Sequence, residues 1–139
     1  MDYSITDKPS LDDIRYIKSE LLKFSDQYTK PRDYKELIFA LKDGSENVLG
    51  GIIANTIWDW LRIEVFWISE NIRKKGYGRK LIEHVESKAM DLGCKRSMVE
   101  TFDFEALDFY QKNGYMINSE IKHFPEGHTH YCLIKKLAG

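Results

Sequence analysis

The sequence has little of several features that mark specialised classes of protein. Its 139 residues include two cysteines and three prolines, and the formal net charge is only -1. Cys94 and Cys132 make no disulfide framework or metal-ligand pattern, so we expect two reduced, buried thiols. The small net charge gives no general attraction to nucleic acid or to an anionic membrane. Any attraction for anions must therefore come from a local cluster of charge.

Long apolar runs and leader-like segments are also missing from the sequence. No run approaches the roughly 20 residues that span a bilayer, and the N-terminal residues lack the basic-then-apolar layout of a signal peptide. We therefore expect a cytoplasmic protein without a membrane partner. Hydrophobic residues make up 42% of the sequence and charged residues 31%, a balance that is typical of a folded domain. The length suits one such domain, residues 1–139.

The spacing of apolar residues predicts helix, three strands, helix, strand, helix and two strands. The helices are predicted at Ser10–Tyr28, from the segment Arg73–Lys80 to Gly93, and at Glu105–Asn113; the strands at Leu37–Leu41, Val48–Ile57, Leu61–Ile68, Ser97–Phe102, Tyr115–Phe124 and His130–Leu137. A strand–helix–strand unit implies one parallel strand pair, while the flanking hairpins are antiparallel. The sequence therefore predicts a mixed α/β fold with a mostly antiparallel sheet.

The most informative local feature is the basic glycine segment, Arg73-Lys74-Lys75-Gly76-Tyr77-Gly78-Arg79-Lys80, between a predicted strand and a predicted helix. Backbone N–H groups at a helix start have no intrahelical partner and attract anions. Glycines let a ligand approach the backbone, and the cationic side chains suit a diphosphate. The alternative is a solvated basic turn. The Walker pattern is absent, and Leu81 occupies the third glycine position of the dinucleotide fingerprint.

Two motifs together resemble those of one enzyme family. Arg-x-x-Gly-x-Gly follows the stretch Phe66–Ile72 and opens an amphipathic helix, which resembles the acyl-CoA-binding motif of the GNAT N-acetyltransferase superfamily. About 30 residues further on, Ala106–Tyr115 resembles the second signature of that family, a helix with an aromatic-Tyr pair followed by Gly and an aromatic residue. The resemblance implies a small single-domain acetyltransferase that uses acetyl-CoA and no metal, with a homodimer as a further expectation.

The resemblance also implies where acetyl-CoA binds. In the family two parallel strands splay apart around the pantetheine arm, and here they would be Leu61–Ile68 and Ser97–Phe102. The implied cofactor-binding groups are main-chain groups of Phe66, Trp67 and Ile68, amides of Lys75, Gly76, Tyr77, Gly78 and Arg79, and the side chains of Arg73 and Lys74. The acceptor would be an amine on a small molecule or a peptide.

Transfer to an amine needs a base for the amine and an acid for the departing thiolate. Tyr110 matches the tyrosine acid of the family, although a tyrosine at helical spacing can also simply pack in a core. Glu64 and Glu100, near the middles of the two splayed strands, are the candidate bases. The alternative for each is a solvent-facing carboxylate, paired with Arg62 or Arg96. Asp103, just before the third helix, is a further candidate, although its interpretation as the N-cap of that helix is favoured over a catalytic role.

The remaining features support weaker hypotheses. His128 and His130 alternate in the last hairpin and could ligate a metal, but no third ligand stands at suitable spacing. Two other functions compete with the enzyme. A coenzyme A-binding sensor without activity would need the basic glycine segment but not Tyr110. A nucleic-acid-binding domain is disfavoured, because the basic cluster is confined to one helix start.

Overall fold

The computed structural model describes residues 2–137 and confirms the predicted order of elements. The helices are α1 (Leu11–Asp26), α2 (Tyr77–Asp91) and α3 (Leu107–Lys112), and the strands are β1 (Lys35–Lys42), β2 (Val48–Ile57), β3 (Trp60–Ile68), β4 (Arg96–Phe102), β5 (Met116–Lys122) and β6 (Thr129–Lys136). A short 3-10 turn, Glu70–Ile72, follows β3. The chain divides into two compact units, one up to Arg32 and one from Asp33 onward.

The first unit is built around α1, whose N-terminus is capped by Ser10. The Ser10 hydroxyl accepts a hydrogen bond from the Asp13 amide at 3.0 Å, and the Asp13 carboxylate accepts one from the Ser10 amide at 3.0 Å. This reciprocal capping box satisfies two amides that the helix leaves without partners. Asp12 and Asp13 also place negative charge at the positive end of the helix.

The second unit is a six-stranded sheet in the order β1-β2-β3-β4-β6-β5. Four of its five strand pairs are antiparallel, and only β3 and β4 run parallel. The parallel pair follows from the α2 crossover, because a strand that returns through a helix enters the sheet in the same direction. The predicted fold class is therefore confirmed.

The core of the sheet unit lies under α2. Its apolar residues fall at helical spacing and are buried against β1, β2 and β3: Leu81, Ile82, Val85 and Ala89. The helix ends as predicted, because Gly93 adopts the left-handed conformation with φ 92° that stops a helix at low cost. Among the helices of residues 2–137, none is long and apolar enough to cross a membrane.

A buried polar network, here the Glu86 network, ties α2 to the far half of the sheet. The Tyr115 hydroxyl donates to one oxygen of Glu86 at 2.8 Å and therefore accepts from the Ser97 hydroxyl, also at 2.8 Å. The Lys135 ammonium donates to the other Glu86 oxygen at 2.9 Å. Burial, and then the charge of Glu86, raises the pKa of Tyr115 above its ordinary value. The network satisfies polar groups that burial would otherwise penalise.

Candidate functional site

A gap opens in the middle of the sheet, between the two parallel strands. β3 and β4 are paired only from Trp60 opposite Arg96 to Ile63 opposite Val99. Beyond that point β3 continues to Ile68 and β4 to Phe102, but the two strands no longer pair with each other. The backbone edges of both strands that face the gap therefore lack ladder partners there, and such groups seek hydrogen bonds.

A β-bulge in β3 marks the start of this gap. Ile53 of β2 is opposite Val65, whereas the next residue, Ala54, is opposite Ile63, so Glu64 has no counterpart on β2. A bulge leaves its extra residue unpaired and bends the strand, which here turns β3 away from β4. Glu64 thus lies at the bend, one residue beyond the last pairing with β4.

The basic glycine segment lies at the open end of the gap and forms the start of α2. Gly76 is the N-cap with φ 87°, a conformation that disfavours any side chain. The first hydrogen bond of the helix runs from the Lys80 amide to the Gly76 carbonyl at 3.1 Å. The amides of Tyr77, Gly78 and Arg79 precede it and point out of the helix end, where an anion is favoured.

The side chains of the segment divide into two groups. The Arg73 Nε donates to the Ile68 carbonyl at 2.9 Å, which fixes the segment against the end of β3. The Arg79 guanidinium pairs with Glu83 at 3.2 Å. Lys74 and Lys75 are exposed and make no ion pair with any residue from 2 to 137. These two ammonium groups are therefore available to an anion at the helix start.

Glycine is required at positions 76 and 78 for different reasons. A Cβ at Gly76 would have no neighbour within 4 Å, so its backbone faces open space. A Cβ at Gly78 would come within 3.1 Å of the Phe109 ring and 3.2 Å of Phe66, two rings that stack at 5.0 Å. The sequence explained both glycines by ligand approach. At Gly78 the structure adds a second reason, the close packing of α2 against β3 and α3.

Tyr110 lies in α3, beside the end of β3 that borders the gap. The side chain is buried, with ring centroids 6.0 Å from Phe66 and 5.8 Å from Tyr115. Its hydroxyl makes no hydrogen bond with any described residue, in contrast to the hydroxyl of Tyr115. Burial, and then the charge of Glu105, raises the pKa of Tyr110 above its ordinary value. The group therefore keeps its proton at neutral pH.

Glu64 and Glu100 occupy corresponding positions on β3 and β4 and are exposed on the face of the sheet opposite the core. Each follows directly after the last paired residues, Ile63 and Val99, and both are exposed, with side-chain fractions of 51% and 63%. Val99 and Thr101 alternate with Glu100 and are buried on the Tyr110 side. The two carboxylates thus lie beside the start of the gap on the exposed face of the sheet, here the outer face. Tyr110 lies on the face that carries the core, here the inner face.

Of the ion pairs weighed from sequence, one forms and the other does not. Arg62 lies 3.8 Å from Glu64, as the alternative for that residue anticipated. Arg96 instead pairs with Asp59 at 3.7 Å, and the Glu100 carboxylate lies 3.9 Å from the His130 Nε2. The pairing of β4 with β6 explains this, because Cys132 stands opposite Glu100 and His130 two residues away on the same face.

The interpretation of Asp103 as a helix cap is wrong. The N-cap of α3 is Ala106, and a turn separates it from Asp103. The Asp103 carboxylate instead lies 3.0 Å from the His128 Nδ1 and accepts from the Thr129 amide at 3.3 Å. Asp103 thus fastens the end of β4 to the last hairpin. Among the described residues no three His, Cys, Asp or Glu side chains form a metal-ligand set.

An aromatic cluster that the sequence analysis missed covers the outer face near Glu100. Its members come from the end of β4, the next turn and the last hairpin, and are Phe102, Phe104, Phe124, His128 and His130. Phe104 and Phe124 are about half exposed, whereas His130 is largely covered by Phe102 and Phe124. In the sequence, the sign of this cluster was the close spacing of Phe102 and Phe104 at the end of β4. The cluster could not be recognised from that alone, because only the pairing of β4 with β6 brings these rings to the histidines.

Neither cysteine contributes to the site. Cys94 is buried and Cys132 is half-buried, and neither forms a disulfide. Burial raises the pKa of both thiols, so both remain protonated near neutral pH. A protonated thiol is a poor nucleophile, which agrees with chemistry that does not pass through a cysteine adduct.

Comparison with known proteins identifies the family. The sequence profile of the Acetyltransferase (GNAT) family matches residues 6–115. Blasticidin-S acetyltransferase of Streptomyces morookaense is 38% identical over 89 residues, which cover 63% of this chain and 65% of that protein. The aligned part of the chain therefore spans slightly less than two thirds of that relative.

Solved structures agree in fold. An acetyltransferase of Bacillus cereus superposes with a TM-score of 0.87 at 24% identity, covering 96% of this chain and 97% of that one. A Bacillus anthracis protein assigned as a streptothricin acetyltransferase, in complex with acetyl coenzyme A, superposes with a TM-score of 0.66 at 19% identity, covering 81% and 67%. Because the family profile covers residues 6–115, most of the chain, the protein belongs to the acetyltransferase (GNAT) family.

Proposed function

We propose that this chain transfers an acetyl group from acetyl-CoA to a primary amine by direct attack, acting as one domain over residues 1–139. The observation that carries the proposal is the gap between β3 and β4, with a phosphate-type helix start at its open end. Two strand edges without ladder partners border this gap, and a buried tyrosine and two exposed carboxylates support the proposal. A cytoplasmic location and a homodimer remain predictions from sequence.

The residues at the gap fit acetyl-CoA along its length. Main-chain groups of Phe66, Trp67 and Ile68 that face the gap suit the amides of the pantetheine arm, as an added strand would, except the Ile68 carbonyl, which already accepts from the Arg73 Nε. The amides of Lys75, Gly76, Tyr77, Gly78 and Arg79, with the Arg73 and Lys74 side chains, suit the diphosphate. The open space at Gly76 supports this placement, because nothing within 4 Å would obstruct a ligand. The unpaired backbone at the bulge can donate to the thioester oxygen as charge develops there.

The two proton transfers of the reaction take place on opposite faces of the gap. A carboxylate on the outer face, Glu64 or Glu100, removes the proton from the acceptor ammonium, directly or through water. The amine nitrogen then attacks the thioester carbon, and the carbon–sulfur bond breaks as the new carbon–nitrogen bond is completed. Tyr110, on the inner face, donates its proton to the departing sulfur. The nitrogen gives up a second proton as the amide forms, and this proton restores the Tyr110 hydroxyl through solvent. The products are an acetamide, free coenzyme A and the one proton that the carboxylate took from the ammonium.

The outer face also supports a small-molecule amine as the acceptor. Carboxylates at Glu64 and Glu100 attract an ammonium group, and the exposed rings of the aromatic cluster offer a flat apolar surface beside it. The name of the Streptomyces relative describes an enzyme that acetylates the small molecule blasticidin S. We therefore favour a compact amine with a planar or cationic body over a peptide amino group.

The phosphate placement is tested by reversing one charge in the basic glycine segment. In Lys75→Glu, a carboxylate replaces an exposed ammonium that has no ion-pair partner among the described residues. We expect the Kd for acetyl-CoA, measured by calorimetry, to rise roughly tenfold or more, which is about 1.4 kcal/mol. The difference should shrink at high salt, since salt screens an exposed charge.

The matched control is Lys88→Glu, in the last turn of the same helix. It changes the net charge by the same amount but lies three turns away from the diphosphate site. We expect its Kd for acetyl-CoA to stay within about twofold of the wild-type value, because screening suppresses distant surface charges. Equal Kd values for the two variants would place the diphosphate elsewhere and contradict the proposal.

A further inference from the structure

Asn55 is a buried amide in the middle of the sheet, next to the bulge. The residue is 1% exposed, although the side chains of Arg62 and Glu64 on the adjacent strand β3 are far more open. The Asn55 amide nitrogen donates to the Glu64 Oε1 at 2.7 Å, and its carbonyl oxygen accepts from the Arg62 Nε at 3.1 Å. A buried amide with both ends bonded is held in a single orientation.

The chemistry of the two partners determines which end of the amide faces which. A guanidinium has only donors, so it must face the amide oxygen, and an ionised carboxylate has only acceptors, so it must face the NH₂ group. Arg62 therefore presents the Asn55 amide to Glu64 as a donor. The Arg62 guanidinium itself is 3.8 Å from the Glu64 Oε1, too far for a close hydrogen bond. The short contact to Glu64 thus comes from Asn55.

The strand pairing around Glu64 does not fix the orientation of its side chain. At the bulge it has no partner residue on β2, and its pairing with β4 has ended one residue earlier. A half-exposed glutamate with three side-chain torsions would otherwise sample many orientations. The hydrogen bond from a buried, rigid strand residue limits the carboxylate to one and leaves its second oxygen free of any bond to a described residue.

We propose that Asn55 is a positioning residue for the acetyl transfer, which holds the Glu64 carboxylate with its free oxygen directed at the acceptor amine. The inference rests on the proposed function and deepens it, because it selects Glu64 over Glu100 as the proton acceptor. Glu100 has no comparable support, since no side chain among residues 2–137 donates a hydrogen bond to it and the His130 ring nitrogen lies 3.9 Å away. Proton transfer depends on such placement of the base.

The test is a double-mutant cycle on steady-state kinetics with acetyl-CoA and the best amine of a panel of small primary amines. Asn55→Ala should lower kcat about tenfold or more while the KM for acetyl-CoA stays within about twofold. In the Glu64→Gln background the same substitution should have almost no further effect on kcat, because the group it positions is gone. A merely structural role of Asn55 would lower kcat by the same factor in both backgrounds.

A second variant addresses any loss of folding in Asn55→Ala. Asn55→Asp keeps the size of the side chain but turns a negatively charged acceptor towards Glu64, so kcat should again fall. In the Glu64→Gln background the same substitution should have no further effect on kcat, because Gln supplies a donor to the new carboxylate. Equal losses in both backgrounds, or no loss, overturn the proposal for Asn55. A wild-type protein that acetylates no amine overturns the proposed function, and the role of Asn55 with it. The two failures are distinguished by the wild-type rate.

Discussion

Tyr110→Phe should lower kcat for amine acetylation by roughly 10²-fold or more, the range expected for loss of a general acid. The hydroxyl is the only part removed, and it makes no hydrogen bond with a described residue. The KM for acetyl-CoA and the free energy of unfolding should therefore change little. Because burial raises the pKa of Tyr110, the wild-type kcat should not decline through loss of this proton up to a pH of about 10.

Tyr115→Phe is the matched control for this experiment. Tyr115 is equally buried and packs against Tyr110, but its hydroxyl bonds Glu86 and Ser97, each at 2.8 Å. Its loss should lower the free energy of unfolding by about 1–3 kcal/mol, because buried polar partners remain unsatisfied. The kcat of the folded variant should stay within about threefold of the wild-type value. The acid role of Tyr110 is wrong if its phenylalanine variant turns over as fast as the Tyr115 variant.

Glu86→Ala should cause the largest loss of stability, about 3–5 kcal/mol in the free energy of unfolding. It removes the acceptor of the Tyr115 hydroxyl and the partner of Lys135, whose side chain is three-quarters covered and whose ammonium lies 2.9 Å from the carboxylate. Removing one member of a buried pair leaves the other charge uncompensated. Chemical unfolding followed by circular dichroism measures the change.

Two comparisons separate the Glu86 network from ordinary surface charge. Glu83→Ala, on the exposed face of the same helix, breaks the pair with Arg79 but should cost only about 0.5 kcal/mol or less. Glu86→Leu combined with Lys135→Met removes both charges, and should be closer to the wild type than Glu86→Ala is. A double variant that is less stable than Glu86→Ala would show that the network contributes more than charge compensation.

Much of the fold was predictable because the patterns are local. The capping box at Ser10, the apolar spacing of α2 and the stop at Gly93 each depend on a few neighbouring residues, and all three appear in the structure. The order of the strands and the single parallel pair follow from the lengths of the connections. These features need no knowledge of distant contacts.

The site was predictable only in part, since its contacts join distant segments. The residues of the basic glycine segment and Tyr110 stand out by motif, whereas the bulge at Glu64 depends on the register between β2 and β3. Asn55 could have attracted attention as a lone amide in the apolar run of β2, but its partners lie on the next strand. The failed interpretation of Asp103 has the same origin, because Thr129 and His128 compete for its carboxylate from the last hairpin.

The most direct test of the account is the release of free thiol from acetyl-CoA in the presence of a panel of small primary amines, with mass spectrometry of the products. We expect amine-dependent thiol release together with a singly acetylated amine, and a strong reduction of both in Tyr110→Phe. Binding of acetyl-CoA without amine-dependent release across the panel would contradict the account, and would favour a coenzyme A-binding protein that has lost the transfer reaction.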